Sequence, residues 1–126
     1  MLVKREQLLS IQKIINNKIG ETFNIDTQYK FLLLNKKIQE EIEIVRTQVN
    51  FIINQYGEKD TNGDFITNDS NGIKIKEENN ERCMKEVEQL YQYQVQVPDI
   101  YFSLDELKDL KLTLQDLINI EPFIRK

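Results

Sequence analysis

Apolar positions recur every three to four residues through the first 56 positions, the period of helices with one buried face. Over residues 4–19, Leu8, Ile11, Ile15 and Ile19 form the stripe and Ile14 widens it. Gly20 stands where a C-terminal cap is expected. Asp26 suits the N-cap of a second helix that starts at Thr27 and ends at Tyr56, with Gly57 as its stop. Such a helix is ~45 Å long at the usual rise. Its clearest feature is the run Ile38, Ile42, Val45, Val49, Ile52, Tyr56, whose alternating spacing of four and three is that of an a/d coiled-coil seam. Ile44, Phe51 and Ile53 lie off the seam as a second apolar edge. Residues 31–34 are apolar all round and should be deeply buried.

The pattern then changes. A polar loop over residues 57–64 precedes two short β-like runs, 65–67 and 73–75, and the Asn71-Gly72 pair between them signals a hairpin. A third helix is expected from Glu77 to Tyr93, with Cys83, Val87 and Leu90 as its seam and Met84 and Tyr91 beside it. Folding back antiparallel along the long helix would let the two stripes face each other. Residues 93–97 alternate strictly and stop at Pro98, as a half-exposed strand does. Ser103 with Glu106, and Thr113 with Asp116, read as two capping boxes. The helices they open carry Leu104, Leu107 and Leu110, then Leu114, Leu117, Ile118 and Ile120, and Pro122 ends the second. Helices so short need a surface to dock on. The expected fold is mainly α: a long, coiled-coil-like antiparallel helical hairpin with a small β-hairpin and short C-terminal helices. It forms one domain of three segments, 1–20, 26–97 and 98–126.

Composition removes many chemistries. The 126 residues include no His and no Trp, and Cys83 is the one cysteine. Ser-His-Asp and Cys-His catalysis, His-ligated metals and a disulfide framework are excluded. The net charge of −4, with no basic block longer than Lys36-Lys37, argues against non-specific nucleic-acid binding. No run approaches the ~20 apolar residues of a membrane span. The charged N-terminal stretch lacks a signal-peptide pattern, so a cytoplasmic location is expected. Residues 60–64 resemble the start of a calcium loop, but Phe65 stands at the position that needs Gly and Asn71 at the one that needs Glu. The carboxylate groups Glu40-Glu41 with Glu43, Glu77-Glu78, and Glu86 with Glu88 are interleaved with bases and read as solvated helix faces. No glycine-rich phosphate loop occurs. Cys83, with no base to activate it, reads as a small core residue. The chain reads as a non-enzyme without metal or cofactor.

Binding is the remaining chemistry. Arg82 and Lys85 precede a cluster of Tyr91, Tyr93, Tyr101 and Phe102. Rings and cations together suit a small anionic nucleotide ligand or a hot spot for a host protein; alternatively, the rings close the core. Arg82, Lys85, Tyr91 and Tyr93 are the candidate contact residues. The long seam with its second edge is more apolar surface than this chain easily covers, so a homo-oligomer is expected. Its interface would be Ile38, Ile42, Val45, Val49, Ile52 and Tyr56.

Ile, Lys and Asn make up one third of the chain and Ala is absent, the residue usage of an AT-rich genome. Tyr56-Gly57-Glu58-Lys59-Asp60, Asn71-Gly72-Ile73-Lys74, Val95-Gln96-Val97-Pro98 and Ile120-Glu121-Pro122-Phe123-Ile124 follow one another in the order seen in small phage and prophage proteins of low-GC bacteria, which residues 30–126 resemble. The resemblance implies a phage origin and transfers no site residue. Two roles are expected of such a chain. One is a non-enzymatic accessory protein that binds and neutralises a host factor or a nucleotide-type defence signal. The other is a virion structural or assembly protein, such as a tail or head chaperone.

Overall fold

In the computed structural model, which describes residues 1–70 and 72–125, the chain is mainly helical and divides into two compact units. One comprises residues 1–42 and 93–126, the other residues 43–92. The boundaries fall within the long helix and after the third one.

The first unit opens with a strand the periodicity did not announce. β1 (Leu2–Lys4) pairs antiparallel with β2 (Gln94–Gln96), placing Val3 opposite Val95. Both valines point into the core. Three residues are too few to display a period of two, so β1 was legible only through its partner. α1 (Arg5–Lys18) buries Leu8, Ile11, Ile14 and Ile15 as its stripe requires. Ile19, expected on that stripe, is 73% exposed. The helix ends at Lys18, and Ile19 adopts an extended conformation (ψ 129°) that turns it outward. Gly20, at φ +88°, then takes the left-handed conformation that a glycine tolerates best.

α2 (Ile25–Tyr56) begins two residues earlier than expected. Asn24 caps it, not Asp26: Asn24 Oδ1 accepts the Asp26 and Thr27 amides at 2.9 and 3.4 Å. Phe31, Leu34 and Ile38 are buried in the first unit, whereas Leu32 faces out, contrary to the all-round burial expected there. Both capping boxes form, at α4 (Leu104–Leu107) and α5 (Leu114–Ile120). α5 docks on α1, where Gln7 Nε2 donates to the Asn119 carbonyl at 2.5 Å. The chain end is tied by Phe102 N–H to Phe123 O (2.7 Å) and Arg125 N–H to Phe102 O (2.8 Å), leaving both phenylalanines without exposure.

In the second unit, Ile52 and Tyr56 of α2 pack with Cys83 of α3 (Asn80–Gln92), flanked by Ile75, Val87 and Leu90. Val45 is buried as well. Much of the heptad seam is thus covered by the chain's own side chains. Ile38, Val45, Ile52 and Tyr56 are buried within the chain, and Ile42 and Val49 are half-buried.

The link between α2 and α3 is more than a hairpin. Gly57 bridges Ile75, Lys59 bridges Phe65, and Thr67 bridges Ile73, all antiparallel. Glu58 N–H donates to Lys74 O (2.7 Å), Lys74 N–H to Ile66 O (2.8 Å), and Ile66 N–H to Glu58 O (2.8 Å). Three segments thus close a ring of backbone hydrogen bonds with an eight-residue period. The two turns follow one design. Asp60 Oδ1 accepts the Asn62 and Asp64 amides, and Asn68 Oδ1 accepts the Ser70 and Gly72 amides, all within 2.8–3.0 Å. Asp60, the first residue of the failed calcium pattern, uses this oxygen to brace its own turn. The expected Asn71-Gly72 corner includes Asn71, which lies outside the described residues. Gly57 is required at the ring's centre: a Cβ there would lie 2.7 Å from Ile73 Cγ2 and 2.8 Å from the Phe65 ring.

Candidate binding groove

The residues singled out in the sequence separate between the two units. Arg82, Lys85 and Tyr91 belong to the second, Tyr93, Tyr101 and Phe102 to the first. Arg82 and Lys85 are exposed on α3, and Lys85 Nζ lies 3.5 Å from Glu81. Tyr91 is half-buried. Tyr93 lies under the Arg5 guanidinium (5.2 Å), Tyr101 under Arg125 (5.8 Å), and Phe102 is core. Neither unit by itself assembles these rings and cations into one pocket.

Three polar clusters were not foreseen. In the first unit, Arg5 Nε meets Glu41 Oε2 at 2.9 Å, with Arg5 only 6% and Glu41 only 3% exposed. Lys37 Nζ approaches the same carboxylate at 3.3 Å. Glu41 is thus no solvated helix-face acid. The charges of Arg5 and Lys37 and the hydrogen bond from Arg5 offset its desolvation. Nothing in the spacing of Arg5 and Glu41, 36 positions apart, links them. The second cluster centres on Glu106, whose carboxylate accepts Lys30 Nζ (2.7 and 2.8 Å), Thr27 Oγ1 (3.0 Å) and the Ser103 amide (3.2 Å). A capping-box glutamate therefore also pins α4 to the start of α2. Burial pushes its carboxyl up, but these hydrogen bonds and the Lys30 charge outweigh that and hold it below the ordinary 4.5. The third lies in the second unit. Burial, and a hydrogen bond to Glu86, raise the Tyr56 hydroxyl above its usual range. Burial and the Glu86 charge likewise raise the Cys83 thiol above its usual range. Glu86 Oε2 is buried with no hydrogen-bond partner. Among the described residues, no group of three potential metal ligands occurs.

The surface feature best suited to binding is a groove of ≈ 320 Å³ in the first unit. Ile15, Phe23 and Phe31 supply apolar walls, and Ile19 and Leu32 line it as exposed edges. The walls are braced from behind, because Phe31 packs edge-on against Phe23 (6.2 Å, 88°) and at a 35° tilt against Phe102 (4.7 Å). Its polar edge is already partnered: Gln28 Nε2 donates to Phe23 O at 2.5 Å, and Lys18 pairs with Glu21 at 3.6 Å. Ile25 and Tyr29 share a face of α2 with Leu32 at spacings of four and three, and all three are exposed. That second stripe was readable in the sequence, but the continuous apolar run at 31–34 disguised it. The lining holds Lys18 and Glu21 as its titratable side chains and no nucleophile pair. It can accept apolar side chains. Neither a protein-family model, nor a curated protein, nor a solved structure matches the chain.

Proposed function

We propose that this chain is a non-enzymatic phage accessory protein that neutralises a host protein by taking an apolar segment of it into the groove between α1 and the start of α2. The observation that carries this reading is the groove itself: aromatic walls held rigid by Phe102, edged by Ile19 and Leu32, and continued by the exposed stripe of Ile25 and Tyr29. Exposed apolar surface rimmed by satisfied polar groups is characteristic of protein-docking sites. A protein partner is favoured over a nucleotide signal because the groove is walled by apolar side chains, and because Lys85 of the cationic pair already lies 3.5 Å from Glu81. The phage origin is supported by the turn-and-cap segments and the AT-type residue usage.

Photo-crosslinking tests the reading. A benzophenone side chain at position 29, expressed in host cells, should give one discrete protein adduct, and Leu32→Glu should abolish it while leaving the melting temperature within a degree or two. No adduct, or an adduct indifferent to Leu32→Glu, would overturn the groove as the docking site.

A further inference from the structure

β2 has β1 on one side and a bare edge on the other. The register decides which backbone groups lie on that edge. Arg5 N–H donates to Tyr93 O and Val97 N–H to Met1 O, each at 2.8 Å, so positions 93, 95 and 97 turn their groups toward β1. In an antiparallel ladder the alternate positions point the other way. The amides and carbonyls of Gln94 and Gln96 therefore face outward, and among the described residues no backbone group meets them. The outer edge of β1 offers no equivalent, because it carries Lys4 and runs directly into α1. Folded proteins blunt sheet edges with lysine or proline. β2 carries neither, and Pro98 comes only after its last outward amide.

Beside β2 lies a groove of ≈ 510 Å³, with Gln96, Val97 and Pro98 on one side and Leu33, Lys36 and Lys37 of α2 on the other. All of these residues belong to the first unit. Among the described residues none of β1 lines the groove, which places it on the bare side of β2. Lys37 is held by Glu40 and Glu41 at 3.7 and 3.3 Å. Lys36 is exposed, and among the described residues no carboxylate pairs with it. The groove thus holds an uncompensated positive charge in a chain of net charge −4.

We infer that this groove takes an extended acidic segment of another protein as a third strand on β2. The edge selects the backbone. Gln94 and Gln96 each offer an N–H and a C=O, and an antiparallel strand exchanges a pair of hydrogen bonds with each. A helix cannot make these bonds, since its own backbone groups are already paired within it. The wall selects the side chains. An added strand turns alternate residues to either face, so one set passes over Leu33 and brings an acidic residue within reach of Lys36. A second copy does not meet this demand at its own edge, because residues 93–97 contain no acid. Two pairing positions are few, so the complex is weak and reversible. The site lies on a different face of α2 from the groove edged by Ile19 and Leu32, and does not depend on the reading given to that groove.

The probe is a short synthetic peptide of alternating valine and glutamate. Its two controls are the same peptide with lysine in place of glutamate, and the acidic peptide N-methylated throughout, which has no strand donors. Titrated into the intact chain, the acidic peptide should saturate below about 1 mM and protect the Gln94 and Gln96 amides from exchange. Both controls should bind at least about tenfold more weakly. Lys36→Glu should keep the parental melting temperature and reverse the preference between glutamate and lysine peptides. Gln96→Pro removes an outward donor and leaves the ladder to β1 intact, so it should weaken binding as well. Leu32→Glu should leave binding unchanged, which separates this site from the other groove. Absence of saturation by about 1 mM, equal binding of the N-methylated peptide, loss of binding in Leu32→Glu, or an unaltered preference in Lys36→Glu would each overturn the inference.

Discussion

Among the described residues, the core of the first unit gathers sixteen buried apolar side chains, and that of the second gathers three. The larger core joins positions far apart in the chain. Val3 pairs with Val95, Gln7 reaches Asn119, Glu106 holds Thr27 and Lys30, and Arg5 holds Glu41. The smaller core is drawn from one continuous segment, closed by a backbone ring whose members are eight residues apart. The first unit gains stability from burial at the cost of long loop closures; the second forms from neighbours and has little apolar area to hold it. Regions with few buried apolar contacts open first. The amides of residues 43–92 should accordingly exchange faster than those of α1 and α5, although α2 runs unbroken through both units.

The largest expected effect tests how much the first unit depends on its buried ion pair. Glu41→Ala removes the carboxylate beside the buried Arg5 guanidinium and should cost about 3–5 kcal/mol in denaturant unfolding. Replacing both partners with apolar residues, Arg5→Met with Glu41→Leu, should recover most of that loss, because no fully buried charge then remains unpaired and Lys37, partly exposed, keeps Glu40 at 3.7 Å. If Glu41→Ala costs less than about 1 kcal/mol, the level of an exposed pair, the pair does not anchor this unit.

A smaller and local effect is expected in the second unit. Gly57→Ala drives a methyl group into Ile73 and Phe65 at 2.7–2.8 Å. Overpacking of this kind costs about 1–3 kcal/mol. The loss should appear as faster exchange confined to residues 57–76 and α3, with α1 and α5 unchanged. Equal acceleration in both units would show that they unfold together and would remove the distinction drawn between them.

What could be read in the sequence follows the same division. Both capping boxes, the reach of α2 to Tyr56 and the seam of α3 were legible because each depends on residues within a few positions. The seam was real, but period alone does not say whether an apolar face meets its own chain or another. Ile38 and Ile52 turned out to face different cores of the same chain. Arg5 and Glu41, β1, and the link from Phe102 to Phe123 depend on partners 20 or more positions away and leave no local signature. The β-ring was half legible. The turn segment from Asp60 and the Gly72 corner were visible, but the three-way closure depends on Gly57, which read simply as a helix stop. In the groove, Ile19 was misassigned because the helix stops one residue before it, and Leu32 because a run of four apolar residues conceals which one faces out.

The smallest expected effect separates local from long-range work in a single side chain. Glu106 caps α4, a local task, and also grips Thr27 and Lys30 across the first unit. Its carboxyl titrates below the ordinary 4.5 in the folded chain, so the folded state binds its proton more weakly than the unfolded state does. The stabilisation is therefore complete above the unfolded value and is lost as pH falls through the folded one. Glu106→Gln keeps an oxygen for the Ser103 amide but loses the charge that holds Lys30. At pH 7 it should be less stable than the parent by about 1–2 kcal/mol, because hydrogen bonds to charged groups contribute about 1.5–3 kcal/mol and solvent screens this partly exposed pair. As pH drops below about 4.5, the parent should lose this advantage and the two melting curves should converge. A gap that stays constant from pH 7 to pH 3 would mean that Glu106 acts through its cap and its shape alone, and that its hold on Lys30 adds nothing to the closure of the first unit.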